Sequence, residues 1–264
     1  MTSSNNTKIA RPVGLSPLAD VVLEIIIPFK ENYKSLKDLL FSLQEIKTVK
    51  FSVTLVDDNS MNLDFSKNFK DVHGLKVIRL NEDKGFGFAV NEAVKQSKNE
   101  YFLTMHSDVY GIDLNTVKSI FMSLLDAEKD KVAAISAMID NPLPVDCSFL
   151  KADGPIAAPI VICEENQFIP FICTAFHKGP FSEVGGFPSY PYCLFEDRLL
   201  CKKLKLFGYK VGYSPSAFCR HYGGSTVKKL IAKNPEILKT IKNNNQLFKK
   251  DCSILDEHVK KISH

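Results

Sequence analysis

Apolar runs alternate with amphipathic segments along the first half of this chain, and this alternation limits the fold more than any other feature. Residues 21–27 form an almost continuous β-branched run, which is typical of a strand that is buried on both faces. Leucines then recur at helical spacing, so residues 33–46 are predicted to form an amphipathic helix. The succession repeats as far as residue 139. It predicts an α/β fold with a mostly parallel central sheet and flanking helices.

Prolines and glycines mark the ends of several predicted elements. Pro28 is expected to end the first strand, and Gly208 is expected to stop a helix in the left-handed conformation that glycine adopts readily. Between residues 141 and 167 four prolines interrupt the pattern, which predicts an irregular segment with short strands. Further strands are predicted at 51–56, 75–80, 101–105, 132–139, 168–176 and 209–213, and further helices at 87–97, 113–128 and 197–207.

The two ends of the chain differ in composition from its middle. Residues 1–20 are polar and are expected to be a disordered tail, whereas residues 21–226 are expected to form one domain. Residues 227–264 are predicted to be a basic helical extension, because residues 228–264 hold nine lysines and four acids. We favour packing of this helix on the domain with its lysines in water, while peripheral contact with an anionic membrane stays open. The net charge of only +4 indicates no nucleic-acid partner.

The cysteines and the N-terminal segment bear on the cellular compartment. Seven cysteines occur without a CxxC pair or a short metal-type spacing, which is typical of reduced, mostly buried thiols in a cytosolic protein. Residues 1–20 lack the apolar core of a signal peptide, and no apolar run approaches the ~20 residues that span a bilayer. We therefore expect a cytoplasmic protein that is soluble or peripheral to the membrane.

Acidic side chains directly follow two of the predicted strands. Asp57 and Asp58 follow the second strand, and Asp108 follows the fourth. In an open α/β sheet, ligands bind beyond the carboxyl ends of the strands, so these acids are expected to line a site. The pair Glu196–Asp197 and the imidazole of His221 come later in the chain. Together these residues predict a metal-assisted transferase that handles a nucleotide diphosphate.

Seven segments, taken in order, resemble the inverting glycosyltransferase family 2. The resemblance covers roughly residues 22–226 and implies the GT-A fold of nucleotide-diphospho-sugar transferases, with no indication of the sugar. The segments are IPFKEN at 27–32, VDDNS at 56–60, GFGFAVN at 85–91, EYFLTMHSDV at 100–109, FHKGPFSEVGGF at 176–187, FEDRLLCKKLKLFGYKVGY at 195–213 and HYGGST at 221–226.

The resemblance implies a nucleotide site at the first two strand ends. Asp58 matches the acid that hydrogen-bonds the base in this family, and a carboxylate can accept the ring N–H of uracil, thymine or guanine. Asp57 is expected to lie near the base or ribose. The alternative for both is a turn or helix cap, for which Asp-Asp-Asn-Ser is equally suited. Residues also assigned to this site are Pro28, Lys30, Glu31, Gly85 and Ser107.

The resemblance also implies a metal site. His106-Ser107-Asp108 stands where the family usually has a DxD motif, so Asp108 is the expected ligand and the contribution of His106 is left open. His221 matches a histidine that supplies a nitrogen ligand in many relatives, with a hydrogen-bonded structural role as the alternative. The implied cofactor is Mn²⁺ or Mg²⁺, because hard oxygen ligands suit both and an imidazole suits Mn²⁺ as well.

Glu196–Asp197 matches the family's catalytic carboxylate pair. The resemblance implies that Asp197 is the general base, which takes the acceptor's hydroxyl proton, and that Glu196 is the second candidate. Relatives often carry another acid where this chain has Leu199. The alternative is that both acids simply favour the N-terminus of the following helix.

The implied reaction is the inverting transfer of a hexosyl or deoxyhexosyl group from a UDP-, dTDP- or GDP-sugar. The acceptor is the hydroxyl of a glycan, a glycolipid or a protein, in glycan biosynthesis. One alternative is a catalytically inactive nucleotide-sugar-binding protein, suggested by the missing acids at positions 106 and 199. Another is a glycoside hydrolase, which needs two carboxyl groups ~5–9.5 Å apart across the scissile bond.

Overall fold

The computed structural model describes residues 23–46, 51–61, 69, 74–140, 145–223, 231–232 and 234–262. The expected tail at residues 1–20 lies outside these ranges, as do residues 21–22 and 227–230. The strands are β1 (Leu23–Phe29), β2 (Phe51–Asp57), β3 (Leu75–Arg79), β4 (Tyr101–Met105), β5 (Val109–Tyr110), β6 (Val132–Ile139), β7 (Val161–Ile162), β8 (Cys173–His177) and β9 (Lys210–His221). The helices are α1 (Tyr33–Gln44), α2 (Phe86–Gln96), α3 (Leu114–Asp126), α4 (Lys178–Glu183), α5 (Glu196–Leu206) and α6 (Glu236–Ile262), with 3-10 turns at Glu128–Asp130 and Val145–Leu150.

The described strands form one mixed sheet in the order β3-β2-β1-β4-β8-β6-β9-β5, with β7 paired to β9. Strands β1 to β4 run parallel to their neighbours in this set, and β6 runs parallel to β9. Strand β8 lies antiparallel between β4 and β6, and β5 is antiparallel to β9. The α/β class with a central sheet is confirmed, although the strand directions are more mixed than the expected mostly parallel arrangement.

Alternate residues of β1 supply two separate cores, one on each face of the sheet. Ile25 and Ile27 pack with the buried leucines of α1 and with α3. Ile26, between them, faces the other way and packs with α2 and α5. Successive strand residues point to opposite faces, so a continuous apolar run is what a strand covered by helices on both sides requires. All seven residues of β1 are buried.

Pro28 does not end β1, which continues to Phe29. On one side Pro28 is in register with Val56 of β2, but the pairing of β1 with β4 extends only as far as Ile26. Because β4 no longer accompanies β1 at this point, the missing N–H of proline breaks no ladder bond on that side. The expected helix stop is confirmed, since Gly208 has a φ of +80° just after α5.

Two strand boundaries also differ from those predicted. Strand β8 begins at Cys173 rather than at residue 168, because residues 168–172 form no ladder within the described chain. Strand β9 continues past residue 213 to His221, after a register irregularity between Ala137 and Met138 of its partner strand β6. The longer β9 brings the end of the strand to the edge of the sheet where β5 lies.

The C-terminal helix α6 packs against α5 through its apolar face. Ile237 and Ile241 are buried at 7% and 5% exposure, and the Phe248 ring stacks on the Phe195 ring. The lysines at 239, 242, 249 and 250 are exposed. Within the described residues, no helix combines the length and the apolar character needed to cross a bilayer.

Candidate active site

Three side chains with metal-ligating atoms meet beyond the carboxyl end of β4. His106 directly follows β4, Asp108 lies in the next turn, and His221 is the last residue of β9. One ligand atom from each of the three lies within 4.8 Å of the others, and His221 Nε2 is 3.0 Å from Asp108 Oδ1. Asp108 and His221 are buried at 5% and 8% exposure. The donor set of two imidazoles and one carboxylate therefore fits a divalent cation.

Backbone hydrogen bonds hold this metal-ligand cluster in place. The His106 N–H donates to the carbonyl of Ile172 at 2.9 Å, and the Tyr222 N–H donates to the carbonyl of Asp108 at 3.1 Å. The His221 N–H donates to Asp140 Oδ1 at 3.1 Å, and His221 is in register with Val109 across β5 and β9. The three side chains thus come from strand ends and a bonded turn, which gives them a fixed geometry.

The sequence left open whether His106 contributes to the metal site, and the structure places this residue inside the cluster. Its ring packs edge-on against Phe86 and His221, with centroid distances of 4.9 and 5.3 Å. Burial and the neighbouring His221 lower the pKa of His106 to about 4. The imidazole is therefore neutral at pH 7, which is the form that binds a metal. Its position as the first residue of the metal motif was the signal in the sequence.

Asp58 anchors the loop that precedes α2. Its Oδ1 accepts from the Lys84 N–H at 2.8 Å and its Oδ2 from the Gly85 N–H at 2.9 Å. Burial raises the pKa of the Asp58 carboxyl to about 6, against the effect of these two N–H groups. The side chain of Asp83 also contacts this carboxyl group, so Asp58 is joined to the loop at residues 83–85.

Asp57, the neighbouring acid, makes the turn contact considered as its alternative role. Its side chain is fully buried, and Oδ1 accepts from the Ser60 N–H at 2.9 Å. Its Oδ2 lies 3.4 Å from Arg79 Nε, and the Arg79 guanidinium also donates to the carbonyl of Ser60. These contacts hold the loop after β2 and leave no exposed surface on Asp57.

Lys30 and Glu31 connect the loops that follow β1 and β2. The Lys30 ammonium pairs with Asp83 and donates to the carbonyl of Asp58 at 3.3 Å. Glu31, with a φ of 51°, donates its N–H to Ser60 Oγ at 3.0 Å. Pro28 is buried within β1 rather than in these loops. Of the expected nucleotide-binding residues, Lys30 and Gly85 thus contact Asp58, whereas Glu31 and Asp57 are connected through Ser60.

Gly85 permits a close approach between the loop before α2 and the loop before α5. Its φ is +86°, and a Cβ there would lie 2.5 Å from the Tyr190 carbonyl oxygen and 2.8 Å from that of Tyr192. The Phe86 N–H also donates to the Tyr192 carbonyl at 2.8 Å. Any larger residue at position 85 would push the two loops apart. Ser107 is buried in the turn between the two metal-motif residues.

Glu196 and Asp197 open α5 and are largely withdrawn from water. No hydrogen-bond donor of the described residues reaches Glu196 Oε2 or Asp197 Oδ1, and both atoms are buried. Burial raises the pKa of Asp197 to about 7, although a backbone hydrogen bond from Phe171 opposes this. Burial and the adjacent Asp197 charge raise the pKa of Glu196 well above its ordinary value. A carboxyl group with a pKa of about 7, such as that of Asp197, can exchange protons near neutral pH.

Cys193 lies in the loop before the carboxylate pair, and acids of both groups raise the pKa of its thiol. Burial, followed by the charges of Glu196, Asp197 and Asp108, raises the pKa of its thiol well above the ordinary value. The backbone shows the same proximity, because Phe171 hydrogen-bonds Asp197 and the carbonyl of Ile172, the next residue, accepts from the His106 N–H. The carboxylate pair and the metal-ligand cluster therefore flank one backbone segment. Sequence reasoning missed this residue, because a lone cysteine in an apolar stretch gives no signal of its location.

The family match covers the first part of the chain, which includes Asp57, Asp58, His106 and Asp108 but not Glu196, Asp197 or His221. Residues 24–133 match the model of glycosyl transferase family 2. The resemblance to this family is confirmed. The chain is also similar to the poly-beta-1,6-N-acetyl-D-glucosamine synthase of Staphylococcus epidermidis, with 24% identity over 198 residues. That match covers 70% of this chain and 46% of the synthase, so the chain spans less than half of the relative's length.

Solved structures confirm the GT-A fold expected from the family 2 resemblance. A mannosyltransferase from Pyrobaculum calidifontis, PcManGT, in complex with GDP-Man and Mn²⁺, has a TM-score of 0.57 and 19% identity, covering 80% of this chain and 60% of that one. S. aureus TarS in complex with UDP-GlcNAc has a TM-score of 0.57 and 21% identity, covering 76% of this chain and 58% of that one. At 19% and 21% identity, this similarity shows a shared fold and no more.

Proposed function

We propose that this chain is an inverting glycosyltransferase that moves a sugar from a UDP-, dTDP- or GDP-sugar to an acceptor hydroxyl. The observation that carries the proposal is the proximity of a metal-ligand cluster and a buried carboxylate pair. The Phe171 backbone hydrogen-bonds Asp197, and the carbonyl of the adjoining Ile172 accepts from the His106 N–H. A leaving diphosphate needs a cation and an acceptor hydroxyl needs a base, and this site offers residues suited to both. The acceptor class is a glycan, a glycolipid or a protein.

Asp108, His221 and His106 would hold the cation. Two imidazole nitrogens and one carboxylate oxygen suit Mn²⁺ better than Mg²⁺, which prefers oxygen ligands alone. When bound, the cation would neutralise the charge that develops on the leaving diphosphate. The neutral state of His106 supports its role as a ligand, since a protonated imidazole could not donate to a metal.

Asp197 would act as the general base. Its pKa of about 7 means that it is partly ionised at neutral pH and can hold the proton that it removes from the acceptor. As the acceptor oxygen attacks the anomeric carbon, its proton passes to Asp197, and the bond to the diphosphate breaks on the opposite face. This single displacement inverts the anomeric configuration. Glu196, whose pKa burial and the Asp197 charge raise, is the second candidate for the base.

Asp58 would bind the base of the nucleotide, since a carboxylate oxygen can accept a second hydrogen bond beside the one from the Lys84 or Gly85 N–H. Lys30 and Glu31 would shape the same pocket, since their contacts join the loops after β1 and β2. Asp57 would act indirectly, by fixing the turn at Ser60. Each of these roles is expected to affect donor affinity more than the chemical step.

A second candidate function is binding of a nucleotide sugar without catalysis. The observation that favours it is Leu199, which is 1% exposed within the core where relatives often carry an additional acid. A donor screen separates the two functions. Nucleoside diphosphate release from UDP-, dTDP- and GDP-sugars with Mn²⁺ or Mg²⁺, in the presence of sugar acceptors, would support the transferase. Donor binding by calorimetry without any release would support the inactive binding protein.

A further inference from the structure

Asn244 of helix α6 reaches the loop that precedes the candidate base. Its side chain is 0% exposed, and Nδ2 donates to the carbonyl oxygens of Pro191 and Cys193, both at 2.9 Å. One amide nitrogen therefore satisfies two carbonyl groups of a segment that belongs to no helix or strand. An apolar residue of similar size would leave both carbonyls without these bonds.

The loop at residues 190–195, here named the base loop, has a backbone that needs support from outside. Tyr192, Leu194 and Phe195 have φ values of 62°, 83° and 73°. Residues other than glycine are disfavoured in this left-handed region of backbone conformation. They adopt it where contacts with the surrounding structure stabilise it. Three residues with positive φ occur within the four positions before Glu196. The direction of the first turn of α5 therefore depends on the contacts made to this loop.

Helix α6 makes further contacts to both ends of the base loop. The Tyr190 hydroxyl donates to Asp251 Oδ2 at 2.7 Å, at the start of the loop. The rings of Phe195 and Phe248 stack with a centroid distance of 5.5 Å, at its end. With Asn244 in the middle, α6 therefore contacts the loop at its start, centre and end. On the opposite side the loop rests on Gly85.

We propose that Asn244 is a positioning residue, which holds the base loop so that Asp197 faces the acceptor. The inference rests on the proposed function only for the role of Asp197, since the contacts themselves are structural. Helix α6 thereby supports the active site through its contacts with the base loop. The exposed neighbour Asn243 provides a matched control on the same helix.

The test compares Asn244→Ala with Asn243→Ala in the full chain. For Asn244→Ala we expect a kcat about 10- to 100-fold below that of the wild type, because small displacements of a catalytic group have effects of this size. Donor affinity by calorimetry should stay within about twofold, since the nucleotide residues lie on other loops. Hydrogen exchange of the amides at residues 190–195 should become faster. Asn243→Ala should match the wild type in all three measurements.

Wild-type kcat together with wild-type exchange at residues 190–195 in Asn244→Ala would overturn the inference. If Asn244→Ala does not fold, Tyr190→Phe provides a second test, because it removes only the hydroxyl that donates to Asp251. This variant should also lower kcat with little change in donor affinity, to a smaller degree. An equal loss of kcat and donor affinity in Tyr190→Phe would also count against positioning. Absence of turnover in the wild type would refute the proposed function, whereas the exchange measurement would still test the loop contact.

Discussion

His221 Nε2 lies 3.0 Å from Asp108 Oδ1, although one residue ends β9 and the other follows β4. The contact arises because β5, directly after Asp108, pairs antiparallel with the end of β9. His106 completes the cluster from the end of β4. The antiparallel pairing of two strands therefore assembles a candidate metal site from two distant parts of the chain.

We expect Asp108→Ala to abolish transfer and to weaken Mn²⁺ binding strongly, because it removes the only carboxylate among the three described ligands of the cluster. Turnover measured with and without excess EDTA checks the metal requirement, and calorimetry with Mn²⁺ checks binding independently of activity. Full turnover in EDTA would exclude metal assistance. His221→Ala and His106→Ala should each retain weaker Mn²⁺ binding, since two ligands remain. An unchanged titration for either one would assign that histidine a structural role.

Asp197→Asn should lower kcat by ~10²–10⁴, the usual effect of removing a general base, with donor affinity almost unchanged. The variant should fold at least as stably as the wild type at pH 7, since it removes a buried carboxyl whose ionised form is disfavoured. Single-turnover rates and urea unfolding measure the two effects. Glu196→Gln is the matched control. Inactivity of Glu196→Gln with normal rates for Asp197→Asn would exchange the two roles.

The pH dependence of stability should also report the buried acids. Burial raises the folded-state pKa of Asp58 to about 6 and of Asp197 to about 7, from 3.8. Between pH about 4 and 7 the folded protein therefore binds more protons than the unfolded chain, so their contribution to stability falls as the pH rises. Urea unfolding at pH 5 and pH 8 measures this change. The decline should be smaller in Asp197→Asn, and an identical decline would contradict the raised pKa.

Asp58→Ala should weaken binding of the nucleoside diphosphate and affect kcat less, because the loop at residues 84–85 loses both of its carboxylate contacts. Asp57→Asn is the contrasting variant, since the fully buried Asp57 holds a turn. It should lower the free energy of unfolding and leave nucleotide affinity close to that of the wild type. Calorimetry and urea unfolding of both variants check this. Wild-type affinity in Asp58→Ala would remove Asp58 from the nucleotide site.

The lysines of α6 should make only a weak, salt-sensitive contact with anionic vesicles. Ile237 and Ile241 of this helix pack inward, whereas Leu238, Leu247 and Ile254 are 41%, 41% and 44% exposed. Because these three are only partly exposed, we expect the lysines at 239, 242, 249 and 250 to dominate the contact. Co-sedimentation with vesicles of anionic and neutral lipid measures the contact. Replacement of the four lysines by glutamine is the control. Binding that persists at high salt would show that an apolar surface takes part.

The order of the longer strands and helices and the two-sided burial of β1 followed from the sequence, because local periodicity specifies which face of an element is apolar. The short elements β5 and α4 were not predicted. The apolar runs likewise predicted that Asp57 and Asp58 stand at the end of β2 and Asp108 beyond the end of β4. Periodicity could not indicate that β8 runs antiparallel between β4 and β6, or that Pro28 lies beside a gap in the ladder. Strand direction and register depend on contacts between residues that are far apart in sequence.

The same limit applies to individual site residues. Positions 243, 244 and 245 are all asparagine, so the sequence does not distinguish them. The packing of α6 on the base loop gives Asn244 its two carbonyl partners. Asp57 and Asp58 are likewise adjacent acids, and both are buried. The Asp57 side chain accepts from the Ser60 N–H, whereas the Asp58 side chain accepts from N–H groups of the loop before α2. Residue type fixes which bonds a side chain can make, whereas its neighbours in three dimensions decide which of them form.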